Sequence, residues 1–171
     1  MRALALVALL AAPALGQGRH NTAAPIDFGA NSIELQDKAN RAVLAGNVQV
    51  RQAGMTLYAA RMTVAYTGQV IGGAPQVSRL DASGGVTVRR PDQTARASYA
   101  IYDLNRRVIT MLGAVSLTQG ANTVNGGRLT INLDTGRAVI DGSSVGSRGA
   151  AGTTTTRGGR VTGTFSVPDR E

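Results

Sequence analysis

The amino-acid sequence predicts an all-β protein of antiparallel strands. From Pro25 to residue 142, apolar and polar residues alternate with a period of two, which is typical of strands with one buried face. No part of that range has the 3.6-residue period of a helix. Glycine is frequent, at 22 of 171 residues, and falls mostly between the alternating runs, where turns and bulges require it.

A gapless internal repeat is the second observation. The segment Gly46-Asn-Val-Gln-Val-Arg-Gln, running on to Arg61-Met-Thr-Val, returns as Gly113-Ala-Val-Ser-Leu-Thr-Gln, running on to Arg128-Leu-Thr-Ile. Gly84-Gly85 opens a shorter middle copy. Repeated alternating units indicate that like strands stack beside like strands.

The alternation also places the first strands along the chain. Two short runs, 26–28 and 33–35, come first, and a polar turn spans 36–41. The next run, 42–50, changes phase at Gly46. Because glycine tolerates the backbone angles that a bulge needs, this change of phase predicts a β-bulge or kink.

The later strands follow the same logic. A run from 55 to 66 leads into a glycine-rich loop at 68–75, and the middle copy covers 80–102. The last copy covers 109–131. A tight turn at Asp134-Thr-Gly136 then leads into a final short strand that contains Ala138 and Ile140.

Both ends of the chain are predicted to lie outside the domain. Residues 1–16 have the positive start, the short apolar run and the small residues before a cleavage site that are typical of a signal peptide, so an exported mature chain is expected. Residues 17–24 are predicted to be a flexible lead-in to a domain at 25–142. The Gly/Ser/Thr/Arg-rich tail, 143–171, is predicted to be mostly disordered, with a short strand between Val161 and Val167.

The residues that catalysis requires are scarce. Cysteine is absent, which excludes disulfides and thiolate metal sites. The one histidine, His20, lies in the lead-in, where a solvated imidazole is expected. Serine triads and histidine metal centres therefore lack their partners, and the acidic residues fall mostly at predicted turns. We predict no enzymatic activity, no metal and no cofactor.

The charge is strongly basic. The formal net charge is +8, and 17 of the 18 basic residues are arginine. This favours acidic partners such as phosphorylated lipid, nucleic acid or an acidic protein surface, and export argues against nucleic acid. Arg89-Arg90, Arg96 and Arg106-Arg107 are predicted to contact lipid phosphates or, alternatively, to form a solvated edge that blocks unwanted strand pairing.

The chain resembles the OstA-like proteins of lipopolysaccharide transport, and among them the periplasmic bridge component. The resemblance covers about 25–142, and its motifs, each degenerate alone, occur in the expected order behind a signal peptide. The residues that carry it are Pro25-Ile-Asp-Phe28, Ser32-Ile-Glu-Leu35, Leu44-Ala-Gly-Asn-Val-Gln-Val-Arg-Gln52, Leu57-Tyr-Ala-Ala-Arg-Met62, Ala97-Ser-Tyr-Ala-Ile-Tyr102 and Leu112-Gly-Ala-Val-Ser-Leu-Thr-Gln119.

The resemblance implies a twisted, partly open β-jellyroll that holds the acyl chains of lipopolysaccharide between two sheets. The inward positions of the alternating runs are then the candidates for the lipid groove. They are Val48, Val50, Leu57, Met62, Val64, Val86, Val88, Ala100, Tyr102, Ile109, Met111, Val115, Leu117, Val124, Leu129 and Ile131.

The resemblance further implies assembly through strand edges, head to tail, into a homo-oligomer. The N-terminal edge is expected to contact an inner-membrane transport component, and the C-terminal edge an outer-membrane translocon or a second copy. The candidate edge residues are Ile26, Phe28, Ile33, Leu35, Ala138 and Ile140.

Two other functions fit the same residues. A self-associating structural β-protein of the cell envelope would use the apolar stripes as a closed core. The membrane-tethered sister component of the same pathway would keep an uncleaved N-terminal span, which the small residues at Ala14-Leu15-Gly16 argue against.

Overall fold

The computed structural model describes residues 20–68, 73–142 and 160–165. Within this part of the chain there are ten strands and one 3₁₀ helix, Asp37–Ala39. The strands are β1 (Ile26–Gly29), β2 (Ser32–Gln36), β3 (Arg41–Gln52), β4 (Met55–Thr67), β5 (Gln76–Arg89), β6 (Thr94–Asp103), β7 (Val108–Gln119), β8 (Asn122–Asn132), β9 (Ala138–Asp141) and β10 (Thr162–Thr164).

The ten strands form one antiparallel sheet. Strands β3 to β8 follow one another in order, each paired with the next. At the N-terminal edge, β1 and β2 both pair with β3, on different lengths of it. At the C-terminal edge, β9 and β10 share β8 in the same way. Each edge strand is therefore split in two, and the predicted all-β antiparallel fold is confirmed.

A line of β-bulges crosses the sheet. The register between β3 and β4 shifts after Ala45, and corresponding shifts occur along every pair from β4 to β8. Gly46, Gly84 and Gly113 lie at these shifts with φ of +76°, +81° and +80°. Because a left-handed backbone favours glycine, the repeat that starts at each of these glycines marks the bulges, and the bulge predicted at Gly46 is confirmed.

The bulges divide each long strand into two lengths and the sheet into two halves. The first half-sheet contains β1, β10 and residues 48–52, 55–59, 86–89, 94–97, 115–119 and 122–126. The second half-sheet contains β2, β9 and residues 41–45, 61–67, 76–83, 99–103, 108–112 and 128–132. Buried apolar residues of both halves belong to one core. The sheet therefore folds along the bulge line with its apolar surface inside.

Several predictions about the ends concern residues outside this description, namely the signal peptide, residues 17–19 of the lead-in, and the tail at 143–159 and 166–171. The short strand predicted between 161 and 167 is present as β10. No helix among the described residues is long and apolar enough to cross a bilayer.

Candidate functional site

Inward-facing side chains form straight rows that cross the sheet from edge to edge. Each row follows directly paired residues from strand to strand. In the first half-sheet one complete row consists of Phe28, Val50, Leu57, Val88, Ala95, Leu117, Val124 and Gly163. Directly paired residues lie about 5 Å apart on the same face, so their side chains make one continuous wall.

Two further rows cross the second half-sheet. The row nearer the bulges consists of Ile33, Leu44, Met62, Ala82, Ala100, Met111, Leu129 and Ile140. The row nearer the strand ends consists of Leu35, Ala42, Val64, Leu80, Tyr102, Ile109, Ile131 and Ala138. Beside the bulges in the first half-sheet, Val48, Val86 and Val115 occupy equivalent inward positions.

The structure places thirteen of the sixteen predicted groove residues in the three rows and the other three, Val48, Val86 and Val115, beside the bulges. It also places five of the six predicted edge residues at the row ends: Phe28, Ile33 and Leu35 at the N-terminal edge, and Ala138 and Ile140 at the C-terminal edge. The sixth, Ile26, pairs with Gln52 at the outer end of β3. The sequence could predict these positions because strand side chains alternate strictly, apart from the phase change at each bulge.

The wall is closed along most of its length. Fourteen of the sixteen predicted groove residues are at most 4% exposed, because the two half-sheets cover one another. Leu117 and Val124, in the last two long strands of the first half-sheet, are only half-buried. The apolar wall is therefore accessible toward the C-terminal edge and packed in the middle.

A cavity of about 730 Å³ lies between the half-sheets at the N-terminal edge. Its polar lining includes Gln52 and Arg107, and residues 22–24 of the lead-in border it. Its apolar lining includes Ile26, Phe28, Leu35, Ala42, Val64, Tyr66, Val77 and Leu104. Volume and lining suit an apolar chain better than a small polar molecule.

Gln52 links the two half-sheets at the inner side of this cavity. It is 2% exposed and is the one buried polar residue among those the structure describes. Tyr102 Oη, from the second half-sheet, donates a 2.7 Å hydrogen bond to Gln52 Oε1. Gln52 Nε2 donates to the carbonyls of Thr22 and Ala24, at 3.0 and 3.1 Å. A satisfied buried amide of this kind fixes the relative position of all three segments.

Sequence reasoning did not single out Gln52. The available signal was its position in the alternation. Gln52 is two residues after Val50 and four after Val48, so its side chain faces inward like theirs, and it is the polar member of that series. A polar residue on a buried face needs partners, because an unpaired buried amide is costly. Those partners are 28 to 50 residues away in the chain, so only the fold could identify them.

His20 differs from its predicted solvated state. Its ring is half-buried, and Nε2 donates to Gln52 Oε1 at 3.3 Å. Burial lowers the pKa of His20 below its ordinary value of 6.5, and nearby Arg90 acts in the same direction. The prediction of a fully solvated imidazole was wrong because the lead-in at 20–24 packs against the end of β3 instead of leaving the domain.

Tyr102 is held in its neutral form. Burial raises the pKa of Tyr102 to about 12, so the phenol stays protonated and keeps its hydrogen bond to Gln52 at physiological pH. The hydrogen bond between neutral Tyr102 and the Gln52 amide therefore joins the two half-sheets without burying a charge.

The arginines do not form one patch. Arg89 and Arg96 lie on the outer face of the first half-sheet, and the Arg89 guanidinium is 5.5 Å from the centre of the Tyr58 ring. Arg107, in the turn after β6, pairs with Asp134 at 3.1 Å. The predicted cluster therefore separates onto two surfaces. Among the described residues, no group of three or more acidic or histidine side chains could hold a metal ion.

Large exposed apolar residues concentrate at the two edges of the sheet. Of the seven in the described part of the chain, only Tyr99 lies away from an edge. The others are Phe28, Ile33 and Leu35 at the N-terminal edge, and Val139, Val161 and Phe165 at the C-terminal edge. Exposed apolar side chains beside unpaired strand edges are typical of surfaces that bind another chain.

Comparisons with known proteins agree with this geometry. A family model described as "LptA/(LptD N-terminal domain) LPS transport protein" matches residues 28–137. An uncharacterized protein of Rhizobium meliloti (strain 1021) is 33% identical over 121 residues, a match that covers 68% of this chain and 65% of that relative. The chain therefore spans somewhat less than two thirds of the relative's length.

A solved structure has the same fold. It is LptH from Pseudomonas aeruginosa, described as the LptA homologous periplasmic component of the conserved lipopolysaccharide transport device. The TM-score is 0.68 at 19% identity, and the match covers 86% of this chain and 99% of LptH. This likeness confirms the predicted partly open jellyroll, since the sheet here also stays unclosed.

Proposed function

The chain belongs to the LptA/(LptD N-terminal domain) family of LPS transport proteins, and on this premise we propose that it is a periplasmic lipopolysaccharide carrier. In this proposal it binds the acyl chains of lipopolysaccharide between its half-sheets and passes them from an inner-membrane component toward an outer-membrane translocon. No covalent chemistry is involved, in keeping with a family of transport proteins.

The observation that carries the proposal is the continuity of the apolar rows. Three rows cross the whole sheet without an inward-facing charge, and each begins at the N-terminal edge with a large apolar residue that is about half exposed: Phe28, Ile33 or Leu35. A wall that is apolar from one edge to the other can hold an acyl chain at successive positions along its length.

The open ends and the packed middle suggest how the wall is used. The cavity beside β1 and β2 is the point of entry, and the half-buried Leu117 and Val124 are the point of exit. Between them the half-sheets must separate to admit lipid. Each methylene that leaves water contributes about 0.8 kcal/mol, so a few acyl chains offset the loss of contacts between the two halves.

The same proposal assigns the two edges to partners. β2 lies at the N-terminal edge of the sheet and β9 at the C-terminal edge, and an incoming strand can add to either by β-augmentation. The N-terminal edge would receive the inner-membrane component, and the C-terminal edge the translocon or a second copy. Head-to-tail addition keeps the apolar rows in line across the junction.

Photo-crosslinking in living cells tests lipid binding. A photoreactive residue at Leu117 or Val50 is expected to give a lipopolysaccharide adduct, because both side chains face the wall. The matched controls are their neighbours Ser116 and Arg51, which face outward on the same strands. Adducts at the inward positions and none at the outward ones support the carrier.

The structural alternative predicts the opposite result. A closed-core envelope protein would give no adduct at Leu117 or Val50, or equal labelling at inward and outward positions. The observation that favours this alternative is the burial of most wall residues in the free protein. An inward position that stays unlabelled while lipopolysaccharide export is active would overturn the carrier model.

A further inference from the structure

We propose that the outer face of the sheet carries a second binding site, around Tyr99, for a carboxylate-bearing glycan strand of the periplasmic cell wall. Tyr99 is 57% exposed, and among the large exposed apolar residues of the described chain it alone lies away from the sheet edges. Neither the apolar wall nor edge pairing accounts for it. The site is separate from the lipid wall, and its assignment to the cell wall rests on the proposed periplasmic location.

Two adjoining shallow cavities on the outer face share Tyr99. The Arg96 cavity, of about 460 Å³, lies over the bulges beside the first half-sheet and is lined by Arg96 and Tyr99. The Arg61 cavity, of about 380 Å³, lies over the second half-sheet and is lined by Arg61 and Tyr99. The exposed Tyr99 ring therefore lies between two cavities, each of which contains one arginine.

The bulge line creates this arrangement. Arg96 and Tyr99 are three residues apart, so in an unbroken strand their side chains would face opposite sides. The register of β6 shifts between them against both neighbouring strands, and both side chains face outward, Arg96 beside Thr87 and Tyr99 beside Ser83. Arg61 lies in the same outward row as Tyr99, two strands and roughly 10 Å away. Bulges commonly redirect side chains in this way beside functional sites.

The two arginines can accept an acidic ligand. Of the ion pairs within the described residues, none includes Arg61 or Arg96. The one acidic residue that lines the two cavities, Asp81, is paired with Arg79 at 2.7 Å. A guanidinium without an internal partner can bind a carboxylate through two parallel N–H···O bonds. The charge of the site therefore favours an anionic ligand.

The rest of the lining suits a sugar better than a lipid surface or a peptide. Ser83, Thr87 and Ser98 provide hydroxyl groups, and a sugar ring can lie flat on Tyr99, which has an apolar face and a polar tip. A lipid surface would require a broad apolar patch, whereas this exposed ring is isolated. A peptide strand would add to a sheet edge, whereas these cavities lie over the middle strands.

A third cavity lengthens the site. It has a volume of about 560 Å³, meets the Arg96 cavity at Gly85, and is lined by Gln49 and Tyr58. Gln49 Nε2 donates to Tyr58 Oη at 3.3 Å, which positions the second tyrosine of the surface. Together the three cavities extend from β3 to β7, over four strand spacings or roughly 20 Å. This length suits a linear chain of several sugar rings.

The saccharide of a lipid bound inside the protein cannot reach this site. Met62 and Ala100, the chain neighbours of Arg61 and Tyr99, belong to the apolar wall, so the sheet itself separates the wall from the outer site. The ligand is therefore a separate glycan. A protein that lies between two membranes meets a carboxylate-bearing glycan in the cell wall between them.

Co-sedimentation of the purified full-length protein with insoluble cell-wall glycan tests the proposal. R61Q/R96Q is expected to bind at least about tenfold more weakly, because each lost hydrogen bond to a charged group contributes about this factor. The matched control, R51Q/R106Q, removes the same charge from two exposed arginines outside the three cavities and should bind like the natural chain. Equal weakening in both variants, or no binding by the natural chain, would overturn the proposal.

Substitution of Tyr99 tests the platform for the sugar ring. Tyr99→Ala is expected to weaken glycan binding, whereas Tyr99→Phe keeps the ring and should retain most of it. Because the side chain is exposed, thermal unfolding of both variants should match that of the natural chain. Glycan binding that is unchanged in Tyr99→Ala would overturn the site.

The chemistry and the source of the ligand can be tested with modified probes. Cell-wall glycan whose carboxylates have been converted to amides is expected to lose binding, and retained binding would overturn recognition by the arginines. Soluble cell-wall fragments should compete for the protein at lower concentration than a single-stranded oligonucleotide or the delipidated saccharide of lipopolysaccharide. Stronger competition by either of these would overturn the assignment to the cell wall.

Lipid crosslinking separates this proposal from the lipid carrier. R61Q/R96Q is expected to give the same lipopolysaccharide adduct at Leu117 as the natural chain, because the sheet lies between the two sites. Glycan binding without a lipid adduct would leave the outer site standing and overturn the carrier. Loss of the adduct together with glycan binding in R61Q/R96Q would overturn a separate outer site.

Discussion

The two half-sheets use the same six long strands and differ in how completely they are covered. In the second half-sheet, both inward rows are buried on every long strand from β3 to β8. In the complete row of the first half-sheet, the side chains are buried from Val50 to Ala95, whereas Leu117 and Val124 are half-buried; Val115, beside the bulge, is buried. The second half-sheet is therefore the more completely buried of the two, and the first is less tightly packed toward the C-terminal edge.

The largest expected contrast compares two leucines of equal size. Leu129→Ala in the second half-sheet removes a fully buried side chain and is expected to lower the free energy of unfolding by about 2–5 kcal/mol. Leu117→Ala in the first half-sheet is expected to cost about 1 kcal/mol. Denaturant unfolding of both variants measures the contrast. Equal losses would show that the half-sheets are equally packed.

The next contrast concerns the contact between the halves at the bulge line. A Cβ on Gly126 would collide with Ile140 Cγ2 and lie 2.9 Å from the Asp141 carbonyl oxygen, whereas one on Gly29 would meet nothing within 4 Å. Gly126→Ala is therefore expected to displace β9 and to cost about 1–3 kcal/mol. Gly29→Ala is the control and should cost far less. Amide exchange of β9 would show directly whether the strand has moved.

A smaller effect on stability is expected from removing the Tyr102–Gln52 hydrogen bond, which joins the two half-sheets. Tyr102→Phe removes the 2.7 Å hydrogen bond to Gln52 and is expected to cost about 1–2 kcal/mol. Tyr99→Phe alters an exposed tyrosine and should change stability by less than about 0.5 kcal/mol. If the half-sheets separate to admit lipid, Tyr102→Phe should also raise adduct formation at Leu117. An unchanged adduct yield would argue against separation at this point.

The same hydroxyl predicts a dependence on alkaline pH. The pKa of Tyr102 is raised in the folded protein from 10.0 to about 12, so its contribution to stability is fully present below pH 10. It is lost as the pH rises from 10 to about 12, because the unfolded phenol ionises first. Unfolding free energies measured over this range should fall more steeply for the natural chain than for Tyr102→Phe.

The smallest effect is expected at the lead-in. The pKa of His20 is lowered below 6.5 in the folded protein, so its stabilising contribution is present above pH 6.5 and is lost as the pH falls. Acidification should therefore loosen residues 20–24 from Gln52. The hydrogen-exchange protection factors at Thr22 to Ala24, which correct for the slower intrinsic exchange in acid, should fall on acidification in the natural chain. In His20→Gln the pH dependence should disappear.

The sequence predicted the residues of the apolar wall better than the hydrogen bonds that join the two half-sheets. Val48, Val50 and their repeat partners Val115 and Leu117 could be assigned to one inward face, because side chains alternate along a strand and Gly46 marks where the phase changes. Gln52 shares that phase but was not singled out. Its partners come from β6 and the lead-in, and alternation carries no information about contacts between distant segments.

The sequence by itself determined the antiparallel strands, the bulge at Gly46 and the inward-facing residues. These follow from local rules, since period, glycine placement and composition act over a few residues. The tertiary structure decided which parts of the wall are covered, where the cavity lies and that β10 returns to the edge of β8. Each of these depends on two half-sheets or two distant segments meeting, and only the folded chain brings them together.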